Sequence, residues 1–270
     1  MRLPQFLERI LSFFYWNAPD KVYAVIVNFG VTSFYVLSLN LREKVFTFPS
    51  NNAWMAYYNG SRIFVPSPKE AYRIKNIKHM SVIKKYTLKP YVTISNDDVV
   101  IDVGAYIGEF TIPCALKARY VIAIEPDPRN YYCLKRNTEN LRNVICIPKA
   151  VWNRKGFFEL KLGTRTSDSS LIGVCDKPLN KSVVVEADTL DNIVSELGEF
   201  KEIGFLKIDA EGTEPEVLEG AKNLLKNCKK VAIDCTAERL GKPTFTACSN
   251  ILTEAGFEVR IISEMVFAWK

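Results

Sequence analysis

Short continuous apolar runs alternate along this chain with segments whose apolar positions recur at helical spacing. Strands are predicted near 99–103, 120–125, 144–148, 205–209 and 231–235. A run such as Val99-Val100-Ile101 marks a strand buried on both faces, as in a parallel sheet covered by helices. Helical character follows at Thr111 to Lys117 and at Glu214 to Leu225, so the alternation predicts a doubly wound α/β sheet. Phe257–Ile262 and Met265–Trp269 are separated only by Ser263-Glu264, too short a link for a parallel crossover, and are expected to form an antiparallel pair at the sheet end. Two further strand-like runs lie between Phe157 and Glu186, around a polar loop from Gly163 to Ser170. Asp188-Thr189-Leu190-Asp191 leads into the helix before the fourth core strand, with Asp188 or Thr189 as its N-cap.

Residues 1–95 have a different pattern. Leu3, Phe6, Leu7, Ile10, Leu11 and Phe14 predict an amphipathic helix over Pro4 to Tyr15, covering the core or lying on a membrane surface. Val22 to Leu41 is apolar but interrupted by Asn28, Gly30, Ser33, Ser38 and Asn40, which favours strands over a spanning helix. Trp54–Tyr58 and Ile63–Val65 flank Asn59-Gly60-Ser61-Arg62, a hairpin signal. Only Arg2 precedes the first apolar residues, Glu8 and Arg9 interrupt them, and no small-residue cleavage site follows, so no secretory signal is predicted. The expected organisation is an extension over 1–95, with helix, hairpin and basic segment, and an α/β domain over 96–270.

Charge sharpens that division. The chain of 270 residues carries a net +6, yet residues 1–95 hold 13 Lys/Arg against 4 Asp/Glu while residues 96–270 hold 23 against 26. The basic character is concentrated in Lys69, Arg73, Lys75, Lys78, Lys84, Lys85 and Lys89, which could attract an anionic lipid headgroup, a phosphorylated glycan carrier or nucleic acid, or form a solvated helix face. Seven cysteines, an odd number without a Cys-x-x-Cys pair, read as thiols in a reducing, cytoplasmic setting. With His79 the only histidine, a zinc site or a serine-histidine triad is excluded as the expectation, and no metal is assigned. A general base must then be a carboxylate, lysine, tyrosine or water.

The strand ends hold the candidate chemistry. The first core strand ends in Asp102-Val103-Gly104-Ala105-Tyr106-Ile107-Gly108, whose glycines permit a tight turn where a strand passes into a helix. In open α/β sheets nucleotide-like ligands bind beyond such strand ends. The Gly-x-x-x-Gly spacing departs from the dinucleotide pattern, and no Gly-Lys-Ser/Thr follows to cradle phosphates. Glu125 ends the next strand, where a carboxylate can accept hydrogen bonds from two vicinal ribose hydroxyls. A ligand with a ribose and little phosphate fits, and S-adenosylmethionine (SAM) is such a ligand.

The fourth strand ends in Lys207-Ile208-Asp209-Ala210-Glu211-Gly212-Thr213-Glu214. Together with Asp102 to Thr111, Glu125-Pro126-Asp127-Pro128-Arg129-Asn130, Thr189-Leu190-Asp191 and the segment Glu214 to Leu225, this resembles the FkbM family of SAM-dependent methyltransferases over about Val99 to Asp234. The family pattern more often has Asn at Tyr106 and commonly Ala at Thr213. The resemblance implies a Rossmann-like class I methyltransferase sheet, mostly parallel with an antiparallel terminal hairpin. It also implies a cofactor site at Asp102, Gly104, Ala105, Tyr106, Gly108, Thr111, Glu125, Pro126, Lys149 and Ala150.

The expected reaction is in-line attack of an acceptor oxygen on the SAM methyl carbon, with the resemblance implying a hydroxyl of a sugar, glycolipid or secondary metabolite as acceptor. Asp209 and Glu211 are placed to reach the acceptor as catalytic carboxylates, unless Glu211 only caps the next helix. Lys207 shares a strand face with Asp209, and is placed to pair with Asp209 or Asp102 or to orient the acceptor. The loop from Gly163 to Ser170 is placed to line the acceptor pocket. Expected partners are a small-molecule, glycan or lipid-linked acceptor and a membrane surface touched through the extension. A nucleic-acid (tRNA) methyltransferase is the alternative, since the extension is basic and Gly108 to Pro113 resembles some tRNA methyltransferases; a non-catalytic SAM-binding protein and a NAD-binding oxidoreductase are the others.

Overall fold

The computed structural model describes residues 46–270 apart from 51, 59, 79, 164, 174–177, 199, 238 and 240. The expected helix at Pro4 to Tyr15, the strands at Val22 to Leu41, Asn59, His79 and Cys175 lie outside the described residues.

Seven strands form the central sheet. β4 (Val99–Val103), β5 (Tyr120–Ile124), β6 (Val144–Ile147), β10 (Phe205–Ile208) and β11 (Lys230–Asp234) run parallel, and β12 (Glu258–Ile262) and β13 (Met265–Trp269) close one edge as an antiparallel pair. The spatial order β12-β13-β11-β10-β4-β5-β6 places β4 and β10 side by side, with Lys207 opposite Asp102. All five predicted core strands and the terminal hairpin are present. Ile101, Leu206, Ile208, Val231 and Ile233 pack into an apolar layer on one face, and Val100, Val121, Phe205 and Ala232 into another on the opposite face. This two-sided burial is why the runs are apolar throughout.

The two helices expected at Thr111 to Lys117 and Glu214 to Leu225 are shorter than their sequence patterns. α3 spans Thr111–Ala115, α4 Pro128–Thr138, α5 Leu190–Leu197, α6 Glu214–Glu219 and α7 Phe245–Glu254. The segment expected to be helical from Glu214 to Leu225 breaks at Gly220, where a Cβ would lie 2.3 Å from the Trp152 carbonyl oxygen, and resumes as a 3-10 turn at Leu224–Asn227. Thr189 is the N-cap of α5, its hydroxyl accepting from Asn192 N at 3.1 Å. Asp188 Oδ1 accepts from Thr189 N at 2.8 Å, so both candidate residues serve the helix start.

Two smaller sheets flank this core. β7 (Ala150–Val151), β8 (Gly156–Gly163) and β9 (Pro178–Asp188) form one. The other is β1 (Phe46–Ser50), β2 (Ala53–Tyr58) and β3 (Ser61–Val65), with β2 and β3 joined where the hairpin was predicted and Gly60 at φ +77°. Ile63, Phe64 and Val65 pack with Tyr106, Ile107 and Cys133, so this sheet backs directly onto the glycine turn after β4. The basic segment then crosses the mouth of the central sheet as α1 (Arg73–Lys78) and α2 (Ser81–Lys85). Among the described residues no helix is long and apolar enough to cross a membrane, and all six described cysteines are free.

Candidate active site

A cleft with roughly 890 Å³ between its walls, open mouth included, lies beyond the carboxyl ends of β4, β5 and β10. Gly104, Ala105, Tyr106, Glu125, Pro126, Lys149, Ala150, Lys207, Asp209 and Glu211 all line it. Asp102, Gly108 and Thr111, implied as cofactor contacts, are absent from that lining and stand behind it. Asp102 is wholly buried, with Thr111 Oγ1 donating to its Oδ2 at 2.6 Å and Lys207 Nζ 2.9 Å from its Oδ1.

The two glycine-bearing loops meet in the floor. Gly104 has φ +73°, and a Cβ there would lie 1.8 Å from the Asp209 carbonyl oxygen, so only glycine lets the loops come this close. Lys207 fastens them from below: its ammonium donates to Val103 O at 3.1 Å and Gly104 O at 2.8 Å besides pairing with Asp102. Its donors are thereby committed to β4. The turn at Glu211 (φ +51°) and Gly212 (φ +92°) is held by Glu214, whose Oε1 accepts from Ala210 N and Gly212 N, while Thr244 Oγ1 donates to its Oε2. Glu211 lies in the wall, before the helix, and α6 starts without a side-chain cap.

Glu125 marks one wall. Tyr106 N donates to its Oε2 at 2.8 Å, and Asp127 N and Asn130 Nδ2 donate to its Oε1 at 2.9 and 3.2 Å. Burial and then the nearby Asp127 push its pKa up to about 7, against the lowering effect of these donors. Asp209 marks the opposite wall. Tyr86 Oη donates to its Oδ2 at 2.5 Å, and among the described residues no donor reaches Oδ1. Burial raises its pKa, yet Lys207, Lys85, the Tyr86 hydroxyl and Arg73 together hold it below the usual carboxylate range.

Several wall residues were not among the sequence candidates. Arg73 reaches in from α1, its Nη1 2.8 Å from Glu109 Oε2, its Nη2 donating to Ser167 Oγ at 3.1 Å and its guanidinium 4.9 Å from the Tyr106 ring centroid. Lys85 pairs with Asp234 beside the Tyr86 ring. Arg73 thus forms a local pair in the cleft wall, and Lys85 a second pair outside the lining. Thr166, Ser167, Ser169 and Ser170 also line the cleft, as the polar loop from Gly163 to Ser170 promised. Asn130 was quoted in a motif without a role, and here its amide bridges Glu125 and Thr166 O. Lys149 contributes to the wall while its ammonium lies 3.2 Å from Glu186 and 3.3 Å from Glu196.

A seven-stranded sheet with one antiparallel edge pair, and a carboxylate at the end of the strand following the glycine turn, define a class I methyltransferase. The Methyltransferase FkbM domain model matches residues 102–259, and the chain belongs to that family of SAM-dependent methyltransferases. Over 178 residues it is 28% identical to a protein of Haloferax volcanii named hexuronic acid methyltransferase AglP, covering 66% of this chain and 71% of that protein. It is 24% identical to methyltransferase 1 of Beauveria bassiana over 211 residues, covering 68% of this chain and 80% of the relative. The crystal structure of methyltransferase FkbM from Methylobacillus flagellatus KT superposes with a TM-score of 0.47 at 17% identity, over 74% of this chain and 54% of that one.

Proposed function

We propose that the chain is an O-methyltransferase whose acceptor is a hydroxyl of a sugar, in a glycan, glycolipid or related metabolite. The observation that carries this reading is the pair of carboxylates facing one cleft, the buried Glu125 on one wall and the half-buried Asp209 on the other. The donor set fits SAM: a carboxylate for a ribose diol, a glycine turn that admits close approach, and no phosphate cradle. Glu125, Gly104, Ala105, Tyr106, Pro126 and Ala150 would hold it. When bound, SAM supplies an electrophilic methyl carbon that bonds to the acceptor oxygen as the carbon–sulfur bond breaks, its electron pair staying on the sulfur of S-adenosylhomocysteine.

The side chains of the cleft then have distinct tasks. Asp209 stays ionised at neutral pH and accepts the acceptor O–H through Oδ1, orienting an oxygen lone pair along the line of attack. A carboxylate held this low is a weak base, which suffices because the hydroxyl becomes strongly acidic only as the new carbon–oxygen bond forms. The proton passes to Asp209 and on to water. Lys207 keeps Asp209 charged, and Glu211 lines the acceptor side beside the loop from Gly163 to Ser170. The relative named for hexuronic acid supports a sugar acceptor. A nucleic-acid acceptor draws support from the basic extension, and that support weakens where Arg73 and Lys85 are paired with Glu109 and Asp234.

The test is tritium transfer from labelled SAM into extract fractions, counted separately for glycan, lipid and RNA. Label is expected in carbohydrate-bearing fractions, and Asp209→Asn should lower turnover by about 10²-fold or more with SAM affinity nearly unchanged. Label confined to RNA, or near-wild-type turnover of the variant, would refute the reading.

A further inference from the structure

Tyr86 belongs to none of the motifs that identify the family, and stands at the C-terminal end of α2 in the segment preceding the matched domain. It is nonetheless among the largest fully buried side chains. Its ring packs edge-on against Phe110, with centroids 5.6 Å apart, and Lys207 Nζ lies 5.4 Å from its centroid. The hydroxyl is aimed at one atom, Asp209 Oδ2. Fixing one carboxylate oxygen fixes the plane of the other, because the group rotates only about its bond to Cβ.

From this geometry we infer that Tyr86 is a positioning residue for the methyl transfer, orienting Asp209 so that Oδ1 alone is presented to the acceptor hydroxyl. The inference rests on the role given to Asp209 above. Burial, and then the charge of Asp209, raise the phenol's pKa well above its ordinary value, so the group remains a donor across the working pH range. The other charged groups around Asp209 come from several elements: Lys207 on its own strand, Asp102 on β4, Asp234 on β11, Lys85 on α2, Arg73 on α1 and Glu214 on α6. Of these, Lys207 is tied to Asp102 and Lys85 to Asp234. The Tyr86 hydroxyl is the only hydrogen-bond donor to the Asp209 carboxylate among the described residues. In physical terms the segment before the catalytic domain supplies an essential atom to it.

The test separates the hydrogen bond from the chemistry. Full-length protein labelled with ¹³C at the aspartate side-chain carboxyls is titrated by NMR, with the Asp209 signal assigned by its loss in Asp209→Asn. In Tyr86→Phe the ring packing stays, one donor is lost, and the Asp209 signal should titrate at higher pH than in the wild type. In the tritium assay, with whichever carbohydrate fraction is labelled, Tyr86→Phe should lower turnover by about 10-fold to 100-fold with the Michaelis constant for SAM within about twofold, and the acid limb of its pH–rate profile should move to higher pH. A phenol with a purely structural task would lower the melting temperature and leave the Asp209 titration and the pH profile in place; that result overturns the inference. If the variant does not fold, the wild type decides: a downfield, slowly exchanging phenolic proton lost in Asp209→Asn is expected, and its absence overturns the inference. Failure of the wild type to label any carbohydrate refutes the acceptor assignment without touching the NMR result.

Discussion

Glu125, which is buried, and Asp209, which is half-buried, face one cleft and hold their protons oppositely. Burial disfavours the charged form of each. Glu125 is surrounded by neutral donors, two backbone N–H groups and the Asn130 amide, with the Asp127 charge nearby, and its pKa rises to about 7. Asp209 has Lys207, Lys85 and Arg73 around it and a phenol on one oxygen, and its pKa falls. Neutral dipoles leave a buried carboxylate near its switching point, whereas cations fix it in one state. One wall is thereby suited to a ligand that brings its own hydroxyl donors, and the other to holding a reacting hydroxyl.

The comparison breaks most completely if the loops that carry the two walls are forced apart. In Gly104→Ala the new Cβ would fall 1.8 Å from the Asp209 carbonyl oxygen, on a residue at φ +73°. Neither the side chain nor the backbone conformation is accommodated, and the cost should be about 3 kcal/mol or more. A melting temperature lowered by several degrees, with SAM binding lost in calorimetry and no methyl transfer, is the expected outcome. A stable, active variant would show that the loops are not in contact.

A smaller change isolates the Glu125 wall. Accepting two ribose hydroxyls requires the carboxylate, so binding shifts Glu125 from a pKa of about 7 toward ionisation and releases a proton where the free group is protonated. The sign follows directly: affinity for SAM rises with pH up to and slightly beyond 7, and should be about tenfold weaker at pH 6 than at pH 8. Glu125→Gln should weaken binding by roughly 1.5 to 3 kcal/mol at pH 8 and flatten the pH dependence. Calorimetry in buffers of different ionisation enthalpy reads the proton directly, and a pH-independent wild type would remove Glu125 from the ribose site. Glu214, also raised to about 7 by burial, has its carboxylate turned to Ala210, Gly212 and Thr244, so it does not confuse the test.

What the sequence made legible follows from the range of its signals. Continuous apolar runs are local, and they gave β4, β5, β6, β10 and β11 together with the terminal pair. Strand ends are local too, so Gly104, Glu125 and Asp209 could be placed in one cleft by the parallel order alone. The hydrogen bond from Tyr86 to Asp209 joins residues 123 apart, and the Arg73 bond to Ser167 joins residues 94 apart. No periodicity encodes such pairs, and in the sequence Lys84-Lys85-Tyr86 reads only as part of a charge run. Asp102 and Thr111 fell the other way: they belong to the motif, but Lys207 and the strand packing draw them beneath the cleft wall.

The smallest effect concerns the basic segment, where the contrast between paired and unpaired charge can be sharpened among three lysines within six residues of chain. Lys84, Lys85 and Lys89 are all exposed, but Lys85 pairs with the buried Asp234 and helps keep Asp209 ionised. Exposed charges act on an acceptor only through a field that is screened beyond about 10 Å at 0.1 M salt. Reversing both Lys84 and Lys89 to Glu should therefore raise the Michaelis constant for an anionic acceptor about two- to threefold at low salt and have little effect at physiological salt, with turnover and SAM affinity unchanged. Lys85→Glu should behave differently, because it sets a carboxylate against Asp234 and removes a cation from Asp209: turnover should fall and the acid limb of the rate profile should move to higher pH at any salt. Equal, salt-dependent effects of Lys84, Lys85 and Lys89 would mean that Lys85 too is merely part of a diffuse basic surface, and that the low pKa of Asp209 is owed to Lys207, Tyr86 and Arg73 alone.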